Sequence, residues 1–452
     1  MTVKETIDTY EEPMLAALSR LVRHNSVRGE EKPGMPFGEG PAAALKEALQ
    51  IAEEMGFHTV NLDNYCGYAE MGEGKDLIGI AAHLDIVPAG DGWDTDPFVM
   101  TRDGDLVYGR GTTDDKGPAV ESLFAMKLLR DAGISLNKRV RLIFGCNEET
   151  GSLCMAHYNE VEEPLTLGFT PDANFPCIYG EKGHMAMIAK SRDTKILFMK
   201  GGFVTNAVCH RCTTVIPADE VCADALRASL AETPLKSFSV TEADGKLTIE
   251  AEGVAAHASL PLLGVNAAGC TMQALASAGF KDDFVEFYNA HIGTACDGSG
   301  VGLDFKDEYG ALTFNNGMVL TENGEIICTI DIRVPVTVRK EQLEEAMAPY
   351  LETEQGSFRI LHIGDPLFFP PDSPLVKALH RAYVDVTGDT VHQPMVIGGG
   401  TYAKALPGII AFGPEMADKD YRIHNANEFI EVSGMKQAVE IYAKALQNLL
   451  EL

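Results

Sequence analysis

The sequence predicts an α/β protein: a discontinuous domain built on a mixed, largely parallel sheet flanked by helices, with a ferredoxin-like α+β domain inserted into it. Three observations point there. Short apolar runs alternate with helical patterns over the first 180 or so residues. A strand-helix-strand-strand-helix-strand order occupies the middle. The first style then returns from about Pro370 to the end. The expected division is 1–183 and 368–452 for the split domain and 184–367 for the insert.

Each element has its own signal. Pro41 to Gly56 reads as an amphipathic helix closed by a glycine. Leu77 to Ala82 is an apolar run of a length that suits a buried strand. Pro118 suits an early helical position, so a helix is expected over Ala119 to Arg130. Val140 to Phe144 and Leu165 to Phe169 read as further strands. In the middle, 246–257 forms the first strand and Asn266 to Gly279 a helix. Residues 311–334 give two strands joined at Glu322-Asn323-Gly324. Val338 to Glu352 is a charged helix and Phe358 to His362 a short strand. A helix, the strand Gly408 to Gly413 and a C-terminal helix complete the chain.

Composition narrows the function. The chain has 452 residues, too many for one ordinary domain, and its 45% hydrophobic content supplies material for buried cores. A balance of 37 basic against 66 acidic side chains gives a net charge of -29, which repels phosphate backbones and anionic lipid heads. Neither nucleic acid nor a membrane is an expected partner. The start, MTVKETIDTYEEP, lacks the basic and apolar regions of a secretory signal. No apolar run approaches the roughly 20 residues that span a bilayer. Ten scattered cysteines fit reduced thiols in a cytosol, so a cytoplasmic location is expected.

Acidic and imidazole groups recur where predicted strands end or helices begin, the places where open α/β sheets assemble ligand sites. Ala82-His83-Leu84-Asp85 puts a carboxylate on the same face as an imidazole, suited to holding one ring nitrogen as N–H. The segment from Gly109 to Pro118, GRGTTDDKGP, sets Asp114 and Asp115 just before a helix N-terminus; a helix cap accounts for one of them but not both. Asn147-Glu148-Glu149-Thr150-Gly151-Ser152 supplies two adjacent glutamates, one able to ligate while the other works as a base. Thr170-Pro171-Asp172 lies at another strand exit, and His424 lies in the downstream segment RIHNANE. Singly, each reads as an ordinary turn or cap. Together they offer a mixed N and O donor set suited to Zn²⁺, Co²⁺ or Mn²⁺.

These motifs, in this order, resemble the M20 family of metallopeptidases (the aminoacylase/carboxypeptidase G2 family), and within it the bacterial dipeptidase V, carnosinase-like branch. Trp93 to Phe98 (WDTDPF) and Gly253 to Pro261 (GVAAHASLP) add to the match, and Ile397 to Ala403 (IGGGTYA) favours the dipeptidase branch. The resemblance runs from Pro41 to His424. It implies a pair of divalent metal ions, zinc foremost, bridged by Asp114. His83 and Asp172 would complete one site, Glu149 and His424 the other. Glu148 would be the general base and Asp85 the partner of the His83 ring. His257 would stabilise the oxyanion of the scissile carbonyl. Asn206, Arg333, Gly399 and Gly400 would contact the substrate. The implied reaction is amide hydrolysis of dipeptides, with N-acyl amino acid deacylation as the alternative and a non-catalytic relative as a third reading. The partner would be a small peptide, and the molecule a monomer or homodimer.

One departure stands out. The branch usually follows its lid asparagine with proline, whereas here Asn206-Ala207-Val208 leads into Cys209-His210-Arg211-Cys212. A structural zinc there would want four ligands, and no second cysteine pair lies nearby.

Overall fold

The computed structural model describes residues 2–452 and divides into two compact units: the chain through Gly180 together with Phe369–Leu452, and Glu181–Phe368.

In the first unit, the strand Leu77–His83 is buried along its whole length because it lies between two parallel neighbours, Arg139–Gly145 and Leu167–Thr170. Ile409–Ala411 adds a further parallel strand beyond Leu167–Thr170. The hairpin His58–Leu62 and Cys66–Met71 extends the sheet antiparallel beside Arg139–Gly145. The result is a mixed sheet whose four central strands run parallel, with Ile178–Glu181 returning antiparallel beside Ile409–Ala411. Helix Glu39–Glu54 packs on the hairpin side, and helices Lys116–Asp131 and Val432–Leu450 pack against Leu77–His83 and each other. Phe169, Phe175, Phe412 and Tyr442 form an aromatic cluster beneath the sheet, with ring centroids 4.9 to 6.0 Å apart.

The second unit is an eight-stranded antiparallel sheet. Its order is Ser237–Ala243, Lys246–Glu252, Arg211–Pro217, Phe198–Gly201, Thr313–Glu322, Glu325–Val334, Gly183–Ser191 and Gly356–Gly364. Helices Ala223–Ala231, Ala267–Ser277 and Lys340–Met347 contribute buried residues to its apolar core. Asn266 caps its helix by accepting from the Gly269 amide. Asn323 (φ 53°) and Gly324 (φ 85°) form the predicted tight turn.

The strand-helix-strand-strand-helix-strand order is present, but its first strand is Gly183–Ser191 and not the expected 246–257. Gly183–Ser191 pairs with both Glu325–Val334 and Gly356–Gly364, whereas Lys246–Glu252 pairs with Arg211–Pro217 and Ser237–Ala243 in an extension of the sheet. The strand alternates buried and half-buried residues, yet its sequence GHMAMIAKS carries little β-branched signal. All ten cysteines are free thiols. Among the described residues no helix is long and apolar enough to cross a membrane.

Helix Lys116–Asp131 carries an electrostatic cost. Glu121 is fully buried, and neither carboxyl oxygen has a hydrogen-bond partner. Burial alone pushes its pKa well above the carboxylate range. The unfolded chain releases this proton near the ordinary value while the folded chain keeps it, so the group costs stability increasingly as pH rises above that value. Glu121→Gln is therefore expected to match the parent near pH 4 and to be the more stable protein at pH 8, as urea midpoints at the two pH values will show.

Candidate metal centre

The parallel strands end along one edge of the sheet. His83 is in register with Gly145 and Ala411 with Thr170, so the residues that follow, Asp85, Glu148, Glu149 and Asp172, emerge side by side. The loop ahead of helix Lys116–Asp131 delivers Asp114 and Asp115 to the same edge, and the segment before strand Phe429–Glu431 delivers His424.

Asp114 stands at the centre, and its two oxygens face two imidazoles. Oδ1 lies 2.9 Å from His83 Nε2, and Oδ2 lies 2.8 Å from His424 Nε2. His83 Nε2 is also 3.8 Å from Asp172 Oδ2, and His424 Nε2 is 3.1 Å from Glu149 Oε1. Donor atoms of His83, Asp114 and Glu149 lie within 4.8 Å of one another, as do those of His83, Glu148 and Asp172. The five predicted ligands are thus brought together. Glu148 is equally within ligand reach.

His83 Nδ1 lies 2.9 Å from the Asp85 carbonyl oxygen. A carbonyl only accepts, so Nδ1 carries a proton, and Nε2 is the nitrogen that faces the carboxylates and would turn its lone pair to a cation held among them. The expected Asp85 carboxylate contact is longer, 3.6 Å, because that carboxylate is occupied elsewhere. Its oxygens accept from the amides of Glu148 at 3.0 Å and Glu149 at 3.1 Å. Asp85 therefore fixes the glutamate pair as well as the ring. Asp115 does not cap its helix with its side chain; its Oδ2 accepts from the His83 amide at 2.9 Å.

Packing this many carboxylates together shifts their proton affinities. Burial, then the Asp172 charge, raises Glu148 and Asp115 well above the usual range. Burial, then Asp114, raises Glu149. Asp172 is pushed up to about 6 chiefly by burial. Burial opposes the charge on His424, but the hydrogen bonds its ring donates to Asp114 and Glu149 prevail and push it up to about 11. His83 is likewise held well above its ordinary value by Asp114, Asp172 and Asp85 against the pull of burial. Acids that recapture protons and imidazoles that keep them mark a site short of positive charge. Divalent cations would supply that charge, and the mixed N/O donors fit them.

Several residues at this edge carry no reading from the sequence. Glu428, wholly buried, accepts from Arg110 Nη1 at 2.6 Å and from the amides of Gly111, Thr113 and Asp114 at 3.1, 2.9 and 3.2 Å. The Arg110 guanidinium in turn lies over Trp93, 5.2 Å from the ring centroid. Glu415 is raised to about 7 by burial and by Asp114 and Asp172. Lys116 is lowered to about 7 by burial and donates to the His24 carbonyl at 2.8 Å. Tyr402 sets its hydroxyl 3.0 Å from Cys154 Sγ and its ring edge-on to His83. A Cβ on Gly145 would lie 2.0 Å from that hydroxyl, so only glycine fits there. Arg110 and Glu428 fall inside quoted motifs, but no spacing rule pairs residues more than 300 positions apart.

Gly399 and Gly400 belong to the same unit, in the loop running into the 3₁₀ turn Tyr402–Lys404, where the Gly399 carbonyl accepts from Lys404 Nζ at 3.3 Å. The remaining predicted residues lie in the second unit. Asn206 and His257 are exposed neighbours: Ala207 bridges His257, and Ala258 donates to the Asn206 carbonyl. The Ser259 amide donates to His257 Nδ1 at 3.2 Å, which leaves the ring proton on Nε2. Arg333 is opposite Thr313, whose hydroxyl donates to the Ala258 carbonyl, so all three residues share one end of the sheet. The Arg333 guanidinium is held by Asp331 at 2.8 and 3.1 Å. Cys209 and Cys212 are buried thiols whose pKa values burial pushes up, the first to about 12.

Fold and cluster together define a class: α/β proteins whose strand ends gather carboxylates and imidazoles suited to divalent cations. This chain belongs to peptidase family M20/M25/M40, whose sequence model matches residues 79–448. It is 34% identical to the protein named "Putative dipeptidase YtjP" of Bacillus subtilis strain 168, with 97% of each chain covered. It is 33% identical to "Putative dipeptidase SAB1611c" of Staphylococcus aureus, with 99% of each covered. Human carnosine dipeptidase 1 shares the fold, with a TM-score of 0.60 at 16% identity over 100% of this chain and 98% of the human one.

Asp114 as the shared partner of two imidazoles has a direct test. In chelator-treated protein, Asp114→Asn removes the charge that favours both imidazolium forms. The His83 and His424 ring titrations, followed by NMR, are expected to move to lower pH. Unmoved midpoints would contradict the geometry.

Proposed function

We propose that the chain is a metal-dependent dipeptidase that hydrolyses the amide bond of Xaa-Xaa dipeptides. His83, Asp114, Glu149, Asp172 and His424 would hold two divalent cations, with Asp114 shared. Zinc is the first candidate, with manganese and cobalt as alternatives. The observation that carries this reading is the division of the Asp114 carboxylate between His83 and His424. Two cations in such a cluster supply concentrated positive charge, which acidifies water and polarises a carbonyl.

The chain's own groups would do the rest. Glu148 sits beside His83 and Asp172, and burial raises its proton affinity. Such a carboxylate suits taking a proton from the attacking water and returning it to the leaving amine. Asp85, by accepting both glutamate amides, would keep Glu148 and Glu149 in their separate roles. For His257 we propose hydrogen bonding to the oxyanion through Nε2–H. Asn206, Arg333 and the amides of Gly399 and Gly400 would bind the substrate, Arg333 through its carboxylate. Dipeptides are favoured over N-acyl amino acids on two grounds: the IGGGTYA segment and full-length similarity to proteins named as dipeptidases.

The test is a panel of dipeptides, a tripeptide and N-acyl amino acids, run on chelator-stripped protein with Zn²⁺, Mn²⁺ or Co²⁺ restored. Dipeptides are expected to give the highest kcat/KM, with no turnover before metal is added. Faster cleavage of the tripeptide or of N-acyl amino acids would sink the substrate assignment. Glu148→Ala is expected to lower kcat by roughly 10²–10⁴-fold, the usual worth of a general base.

A further inference from the structure

We infer that Glu428 is a positioning residue for the cation pair, acting through Asp114. This rests on the two-cation reading above. Glu428 takes no place in the cluster itself. Its carboxylate is saturated by four donors: Oε2 accepts from Arg110 Nη1 and the Gly111 amide, Oε1 from the Thr113 and Asp114 amides. It sits four residues beyond His424, so one buried side chain ties the segment bearing one imidazole to the loop bearing the shared carboxylate.

The grip falls on the backbone of the residue whose aim matters most. Asp114 must offer one oxygen toward His83 and the other toward His424, and a small rotation of its backbone would spoil both contacts. The His424 side needs equal help. Arg422, His424 and Asn427 all have φ between 57° and 63°, a left-handed conformation that ordinary side chains adopt only when their surroundings enforce it. Asn427 supplies part of that enforcement, accepting from the Asp94 amide at 3.0 Å and donating to the Asp94 carboxylate at 2.9 Å. Glu428 adds the tie from this segment to the Asp114 loop.

A plain loop tether is the competing explanation. Charge argues against it. A wholly buried carboxylate is an expensive fastening in an already acidic region. Another fastening between the same segments exists without charge: the Thr113 hydroxyl donates to the Phe429 carbonyl at 2.6 Å. What the carboxylate adds is four acceptor sites converging on the Asp114 loop, which a hydroxyl or amide cannot offer.

The experiment titrates Co²⁺ into the chelator-stripped full chain, following heat and the visible ligand-field spectrum, for the parent, Glu428→Gln and Thr113→Val. Glu428→Gln puts a donor where an acceptor is needed. It is expected to weaken Co²⁺ binding by about 10–100-fold, the typical consequence of losing an outer support, and to alter the spectrum of the bound ion. Thr113→Val is expected to bind Co²⁺ like the parent even if it unfolds earlier. Parent-like affinity and spectrum in folded Glu428→Gln overturn the inference. So does an equal loss in Thr113→Val, which would make loop tethering in general the cause. Should Glu428→Gln fail to fold, Arg110→Gln decides: withdrawing the counter-charge is expected to weaken binding in the same direction, and unchanged affinity overturns the inference. A parent that binds no Co²⁺ brings down the two-cation reading and this inference together. A parent that binds two ions beside an unaffected Glu428→Gln brings down this inference alone.

Discussion

Everything at the functional edge depends on one carboxylate lying between two imidazoles. Asp114 sits at the mouth of helix Lys116–Asp131, where the helix dipole favours negative charge, and it gives one oxygen to each ring. The surrounding acids would repel one another without a balancing charge. Their raised proton affinities are the local record of that imbalance. The scaffold does not relieve this repulsion; it maintains it by rigid means. Asp85 holds the glutamate amides, Asp115 holds the His83 amide, and Glu428 holds the Asp114 loop. Three carboxylates are spent on backbone geometry so that others can face inward.

Much of this was legible because chemistry and chain direction coincide. Each of His83, Glu148, Glu149 and Asp172 follows a short apolar run, and parallel strands must end at the same edge. The two glutamates could be separated from an ordinary polar turn only by their company. Support residues were less legible. Arg110 and Glu428 meet across 318 positions, and Tyr402 reaches the His83 ring through a gap that exists because residue 145 is glycine. Such pairs follow from packing, which a one-dimensional pattern does not encode.

The inserted unit shows the other limit. Two of its helices and its central hairpin carried clear signals, the Asn323-Gly324 turn among them, whereas the helix Ala223–Ala231 went unread. Gly183–Ser191 did not, since methionine, alanine and glycine have no strong strand preference and its neighbours decide its state. An eight-stranded sheet was therefore read as a smaller one. Asp85 shows the same limit at the scale of one side chain: period two correctly put it beside His83, but not that its carboxylate would turn to the Glu148 and Glu149 amides.

The split of the larger unit has a consequence for the chain's synthesis. Glu181–Phe368 encloses its own apolar core and is complete before Ile409–Ala411 and the helix Val432–Leu450 leave the ribosome. The sheet of the split unit must wait for both. Until then its growing edge at Leu167–Thr170 lacks its last parallel partner and exposes an unpaired row of backbone groups. The chain order thus makes the middle unit available whole before the split unit has all its strands.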